Sequence, residues 1–324
     1  DRVYRTEYSV FGHDALIRRV TGMENSPEAQ RAFARAWDYC LSWNILVDGS
    51  FLGAYRSSMG HGEYAQGGTD RNDDVHYAFS SVEEVYAFDP LDKLPALPDG
   101  KVWKLVWNDE FDGTRIDETK WERQEYQRRD GWWDRRASAL DGEGHLLVYC
   151  FREGDRYLDG SLRTKGKFEH TYGYYVCRAQ LQREVGHWSA FWLMGDGVGK
   201  IGDEGRDGTE VDIFEKPSLD NVVCHALHWD GYGEHHKSAS AKAEVPGVMD
   251  GYHDFALWWS PEEYVFYVDG KETWRTGAGG VCRAPLFIKL TDEVGKWAGD
   301  IARAELPDAF IVDYVRVYDV VAAP

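Results

Sequence analysis

Three carboxylates fall within six positions in the stretch Gly208-Thr-Glu-Val-Asp-Ile-Phe-Glu215. Val211, Ile213 and Phe214 between them favour a β-strand. Strand side chains alternate between faces, so Glu210 and Asp212 share one face and Glu215 falls on the other. Two acids on one face repel, a cost that asks for a use. Glycoside hydrolysis supplies one: a retaining enzyme needs two carboxyl groups roughly 5–5.5 Å apart, one as nucleophile and one as acid/base. A one-residue bulge would return Glu215 to the face of the other two. The backbone from Glu210 to Glu215 then spans four steps of ~3.3 Å, about 13 Å. Two glutamates leaning together could close that gap to roughly the retaining distance. Asp212 would hydrogen-bond the nucleophile, and like charges would push the pKa values apart, leaving one group protonated. The competing reading is a solvated acidic face. The interleaved apolar residues argue against it.

A strand that carries such a site must lie in a large sheet. From about Val102 the chain reads as short strands divided by turn residues: "KLVWNDEF", "GHLLVYCF", "YGYYVCRAQLQ", "HWSAFWLMG", "TEVDIF", "VVCHALHW", "HDFALWWS", "EYVFYVDG" and "FIVDYVRVYD". "YVFYVDGKETW" predicts a hairpin with Asp269-Gly270 at its turn. Many strands without intervening helices predict a mostly β, antiparallel sandwich or barrel. Residues 1–95 differ, forming a small helical and loop extension ahead of a β domain over 96–324. Ser26 is placed to cap a helix that begins at Pro27. Phe33, Trp37, Cys40, Leu41 and Ile45 recur at helical spacing after it. Ser81 and Glu84 form a capping-box pattern, and "DKLPALPDG" reads as a linker.

The chain of 324 residues carries a formal net charge of −19, which argues against a nucleic-acid partner. No apolar run approaches the ~20 residues of a membrane-spanning helix. Five widely spaced cysteines form no C-x-x-C pair, so buried free thiols are expected rather than disulfides or zinc. His225 and His228 in "CHALHW" have opposite parity, so at most one reaches the carboxylate face. With no third ligand in sight, a metal is not predicted there. Trp188 and Trp192 in "HWSAFW" share a face, with core packing as the alternative for Trp192.

"VWNDEFDGTRIDETKW", "GSLRTKGKFEHTYGYYVCRAQL", "GHWSAFWLMG", "EVDIFE" and "FIVDYVRVYD" occur in the order seen in glycoside hydrolase family 16, which the chain resembles from about Val102 to Asp319. The resemblance implies a concanavalin-like β-jelly-roll sandwich with a substrate cleft. It also implies retaining endo-hydrolysis, with Glu210 as nucleophile, Asp212 as assisting acid and Glu215 as general acid/base. By the same resemblance Trp188 lies near the carboxylate strand, and His228, with the adjacent Trp229, belongs to the substrate site. "YQRRDGWWDRRAS" departs from the family. Read as a loop, it could lay Trp132 and Trp133 on sugar faces and aim Arg135 and its neighbouring arginines at hydroxyls or an anionic group. Pairing of those arginines with Asp130 and Asp134 is the alternative.

The expected activity is a secreted or cell-surface endo-β-glycanase acting on a polysaccharide, foremost β-1,3- or mixed-linkage β-1,3/1,4-glucan. A β-galactanase of the agarase, carrageenase or porphyranase type is the second reading, and a non-catalytic lectin the third. No cofactor is required. A structural Ca²⁺ on the convex face, as in some relatives, is compatible with the family. The segments "AWDYCLSWNILVDG" and "GGTDRNDDVHYAFSSVEEVYAFDP" are weakly similar to the start of uroporphyrinogen-decarboxylase-like proteins, but residues 1–95 are too few for that barrel.

Overall fold

The computed structural model describes residues 94–323 and, before them, residues 5–6, 14–26, 28–29, 32–33 and 39–41. Cα packing divides the chain into two compact units, Asp1–Pro90 and Leu91–Pro324. In the first, a helix spans Asp14–Thr21. Ser26 Oγ accepts from the Ala29 amide at 3.1 Å, the predicted capping bond. Ile17, Ala29 and Phe33 pack together behind it. The predicted helix does not run on to Ile45: Tyr39–Leu41 is a strand paired with Arg5–Thr6. Spacing that suits a helix face is overridden there by a β-compatible Tyr-Cys-Leu run with a pairing partner. The Ser81–Glu84 pattern, Trp37 and Ile45 lie outside the described residues.

The second unit is a sandwich of two sheets, mostly β as expected. Its smaller sheet runs in the order Lys237–Glu244, Val222–Trp229, Glu210–Glu215, His187–Met194, Leu286–Val294, Ser161–Arg163 and Glu122–Arg123. The larger sheet has Gly173–Gln180 between Tyr252–Trp259 and Asp308–Ala322 at its centre. Every strand predicted from the sequence is present. The Asp269-Gly270 turn has φ 52° and 74°, the two positive angles of a tight hairpin. The two longest strands of the smaller sheet that the sequence does not predict are Lys237–Glu244 and Leu286–Val294; the short Glu122–Arg123, Ser161–Arg163 and Glu169–His170 are unpredicted too.

The core lies between the sheets. Val211, Ile213 and Phe214 are fully buried, with the Phe214 ring tilted against Phe255 of the facing sheet at 4.1 Å between centroids. Burying each such side chain contributes roughly 1.5–3 kcal/mol. That anchorage fixes the strand and leaves its opposite face for the acids. Entry to the strand depends on Gly208, where a Cβ would meet the Gly197 backbone at 2.1 Å. Cys150, Cys177, Cys224 and Cys282 are buried free thiols as expected, and the Cys40 side chain lies outside the described residues.

Candidate active site

The carboxylate strand breaks its alternation where the sequence requires. Asp212 pairs with Ala226 and Glu215 with Cys224, so three steps on one strand meet two on the other. On the other side Phe214 pairs with Phe191 and Asp212 with Trp192, which leaves Ile213 as the extra residue. Ile213 and Phe214 are consecutive and both point into the core, so Glu215 rejoins the face of Glu210 and Asp212. The Ile213 carbonyl, which the bulge displaces from the regular ladder, accepts from His225 Nδ1 at 2.6 Å. The Nε2 of that imidazole then accepts from the Thr273 hydroxyl at 3.0 Å. Burial holds His225 down to about 4, so the ring is neutral and this tautomer is fixed. His225 is a brace for the bulge, and its interior position satisfies the parity argument that set it apart from His228.

On the outer face Trp188 donates its indole N–H to Glu215 Oε1 at 3.2 Å. Tyr232 donates its hydroxyl to Glu210 Oε2. His228 Nε2 stands 3.5 Å from Asp212 Oδ2, while His228 Nδ1 meets His236 Nε2 at 2.9 Å. Burial raises Glu215 to about 7, opposed by the Trp188 bond and reinforced by the charge of Glu210. Asp212 is raised well above the carboxylate range, by burial first and then by Glu215 and Glu210. Glu210 is also raised by burial, but the Tyr232 bond and the charges of Lys289 and Arg128 favour its ionised form. The cluster is therefore set to hold protons on Asp212 and Glu215 and a charge on Glu210.

The predicted substrate contacts divide. Trp188 is buried beside the acids, with Trp297 edge-on at 5.3 Å and the Arg129 guanidinium 5.2 Å over its ring. Trp297 itself is 53% exposed at the rim. Trp133 joins the same surface: its ring carries Lys289 Nζ at 4.5 Å and its N–H donates to the Asp292 carbonyl at 3.2 Å.

Three other expectations are corrected. Trp229 is buried in the core cluster against Gly279, because it follows His228 directly and adjacent strand residues face opposite ways. Trp132 lies under the Arg156 guanidinium at 4.7 Å, in a recess of about 230 Å³ with Asp134 and Glu153 that none of the three acids lines. Arg135 pairs with Glu118 at 3.0 Å, and its carbonyl accepts from Arg123. Four strand steps of ~4.8 Å put Arg123 about 19 Å across the sheet from the acids. The stretch read as a loop is a hairpin of Tyr126–Arg128 and Gly131–Trp133. Arg136 does pair with Asp134, but Arg128 and Arg129 reach Glu293 at 3.4 and 2.5 Å.

The unpredicted Leu286–Val294 strand supplies what the sequence reading missed. Lys289 pairs in register with Trp192, and Glu293 with Trp188, so both stand on the carboxylate face. Trp192 lies there too, its N–H on Thr291 Oγ1 at 3.0 Å.

Among the described residues two clusters bring three metal-ligand types within 4.8 Å: Glu210, Asp212 and His228, and Cys150, His187 and Asp292. The second is an interior ion pair. His187 bridges Asp292 at 2.8 Å and Asp308 at 3.2 Å, and its imidazole is held up to about 10 by those acids against burial. Neither cluster lies on the outer face of the larger sheet, where the calcium expectation places its ion.

The sequence model of "Glycosyl hydrolases family 16" matches residues 133–306, over half the chain. The chain belongs to glycoside hydrolase family 16. A beta-glucanase of Rhodothermus marinus is 30% identical, over 67% of this chain and 85% of its own length. A keratan-sulfate endo-1,4-beta-galactosidase of Sphingobacterium multivorum is 28% identical over 67% of this chain, and the match spans only 55% of that relative. The laminarinase catalytic domain of Thermotoga maritima superposes with a TM-score of 0.58 at 26% identity, over 67% of this chain and 98% of that domain. The chain is thus a glycoside hydrolase with the expected jelly-roll fold. Among the described residues no helix is long and apolar enough to cross a membrane.

Proposed function

We propose that this family 16 enzyme cleaves a β-linked polysaccharide internally and with retention. The observation that carries the reading is the bulge at Ile213, which returns Glu215 to the face of an ionisable Glu210. Glu210 attacks the anomeric carbon as the bond to the leaving oxygen breaks, and Glu215 gives that oxygen its proton. In the second half Glu215 takes a proton from water, the water oxygen bonds to the anomeric carbon, and Glu210 leaves. Asp212, held neutral, has a proton to donate toward the nucleophile. The Trp188 bond steadies Glu215 in both of its protonation states.

A β-1,3- or mixed-linkage β-1,3/1,4-glucan is the backbone read from the sequence, and the Rhodothermus relative named as a beta-glucanase supports it. A galactan is the second reading, supported by the relative named for keratan sulfate and by the cations beside the acids. A polymer of either kind places the work outside the cell, where such substrates are met. Glu210→Gln and Glu215→Gln should each abolish release of reducing ends from laminarin, lichenan, agarose or porphyran while the far-UV spectrum is unchanged. Full activity in either variant would refute the assignment of roles.

A further inference from the structure

Four cations stand on or beside this face, and three of them hold a carboxylate directly. Arg128 and Arg129 share Glu293, and Arg163 is held by both oxygens of Glu122 at 2.8 and 3.0 Å. Lys289 is the exception. It is 4% exposed and lies directly across the ladder from Arg163 on one side and Trp192 on the other. Its ammonium sits 4.0 Å from the Trp192 ring and 4.5 Å from the Trp133 ring. Among the described residues it makes no hydrogen bond or close ion pair, and only the charges of Glu293 and Glu210 act on it from further off.

That arrangement is costly without a ligand. Two ring faces stabilise an ammonium by roughly 0.5–2 kcal/mol each, but they accept no conventional hydrogen bond from its three N–H groups. A buried cation left in this state is penalised, and burial pulls the Lys289 amine down to about 7. An oxyanion would reverse the penalty, since it supplies both charge and several acceptors. The two tryptophan rings, 2% and 5% exposed, hold the ammonium at this point. The net charge of −19 does not forbid this. At physiological salt the Debye length is about 8 Å, so groups in the immediate neighbourhood set the potential.

We propose that Lys289, framed by Trp192 and Trp133 and flanked by Arg128, forms a specificity subsite for a sugar bearing an oxyanion substituent, a sulfate ester or a uronate carboxylate. This deepens the hydrolase reading above and rests on it. It also selects among substrates: the backbone, glucan or galactan, should be substituted at the residue that occupies this subsite.

The test compares matched polymer pairs: porphyran with its desulfated form, and carboxymethylated β-1,3-glucan with its parent. The wild type should prefer a charged member in kcat/KM by about tenfold or more, the scale of one charge-assisted hydrogen bond. Preference for the sulfated or the carboxylated polymer then identifies the oxyanion. In Lys289→Met the charged-to-neutral ratio should fall toward one, and Lys289→Arg should retain part of it. The ratio is decisive because Lys289 also influences Glu210, an effect common to both members of a pair. Equal rates on charged and neutral polymers in the wild type, or a ratio unmoved by Lys289→Met, would overturn the subsite. Calorimetry of sulfated and desulfated galactan oligosaccharides with Glu210→Gln separates the two claims. If no polymer is cleaved but the sulfated oligosaccharide binds more tightly, the hydrolase reading fails and the subsite stands. If polymers are cleaved and binding ignores sulfate and, in the matching glucan oligosaccharides, carboxymethyl groups as well, the reverse holds.

Discussion

Trp188 gives its indole N–H to Glu215 at 3.2 Å, across the strand boundary from the bulge that turns Glu215 outward. The bond is the strongest influence opposing burial at Glu215, which even so rises to about 7. Trp188→Phe keeps a ring but removes the donor. Loss of a bond to the ionised form raises the pKa, so the alkaline limb of the kcat/KM profile should move to higher pH. The rate should also drop by about tenfold, the worth of one hydrogen bond to a charged group. A limb that stays in place would detach Trp188 from the acid/base.

Tyr232 acts on the other limb. Its hydroxyl bonds Glu210, and that bond favours the carboxylate. Tyr232→Phe should therefore raise the Glu210 pKa and carry the acid limb upward, because the nucleophile must be ionised. Steady-state rates between pH 4 and 7 in wild type and variant decide it, and a downward shift would contradict the arrangement.

The acids should also cost stability. Glu215 rises from 4.5 to about 7 on folding, so between these values the native state holds a proton that the unfolded chain has lost. Stability then falls as pH rises through that window, and Glu215→Gln escapes the loss. The variant should melt above the wild type by a margin that grows between pH 4.5 and 7. It should reach about 1–3 kcal/mol, at ~1.4 kcal/mol per pKa unit. A constant margin across that range, read by calorimetry, would show that Glu215 is not perturbed.

His225 offers a test of the bulge itself. His225→Leu leaves the Ile213 carbonyl without its 2.6 Å donor. Stability should fall by about 1–3 kcal/mol, the penalty of a buried unsatisfied polar group. Because Glu215 depends on the bulge, kcat should fall as well, although His225 never touches substrate. Denaturant melts and initial rates check the pair, and full activity with lost stability would limit His225 to packing.

These residues also show what could be read beforehand. The bulge was legible because one parity mismatch, Glu215 against Glu210, met two consecutive apolar residues, Ile213 and Phe214. His228 and Trp229 could not both face the site, since neighbours on a strand diverge. The histidine reaches Asp212 and the tryptophan joins the core. The Leu286–Val294 strand was hidden for a physical reason. All nine of its residues are buried, and Lys289, Thr291, Asp292 and Glu293 break the apolar alternation by which a half-buried strand is recognised. Lys237–Glu244 was hidden differently: it is a sheet edge of small and charged residues with little apolar signal. Arg135 and Trp132 were drawn to the site by residue type alone, and only the fold shows their pairing with Glu118 and Arg156.

The central claim is that Glu210 and Glu215 work as a retaining pair across the bulge. Proton NMR of the first product released from a cleaved polysaccharide tests it most directly. The β-anomer should appear first and mutarotate later. Initial release of the α-anomer would mean inversion and would contradict the assignment of Glu210 as nucleophile.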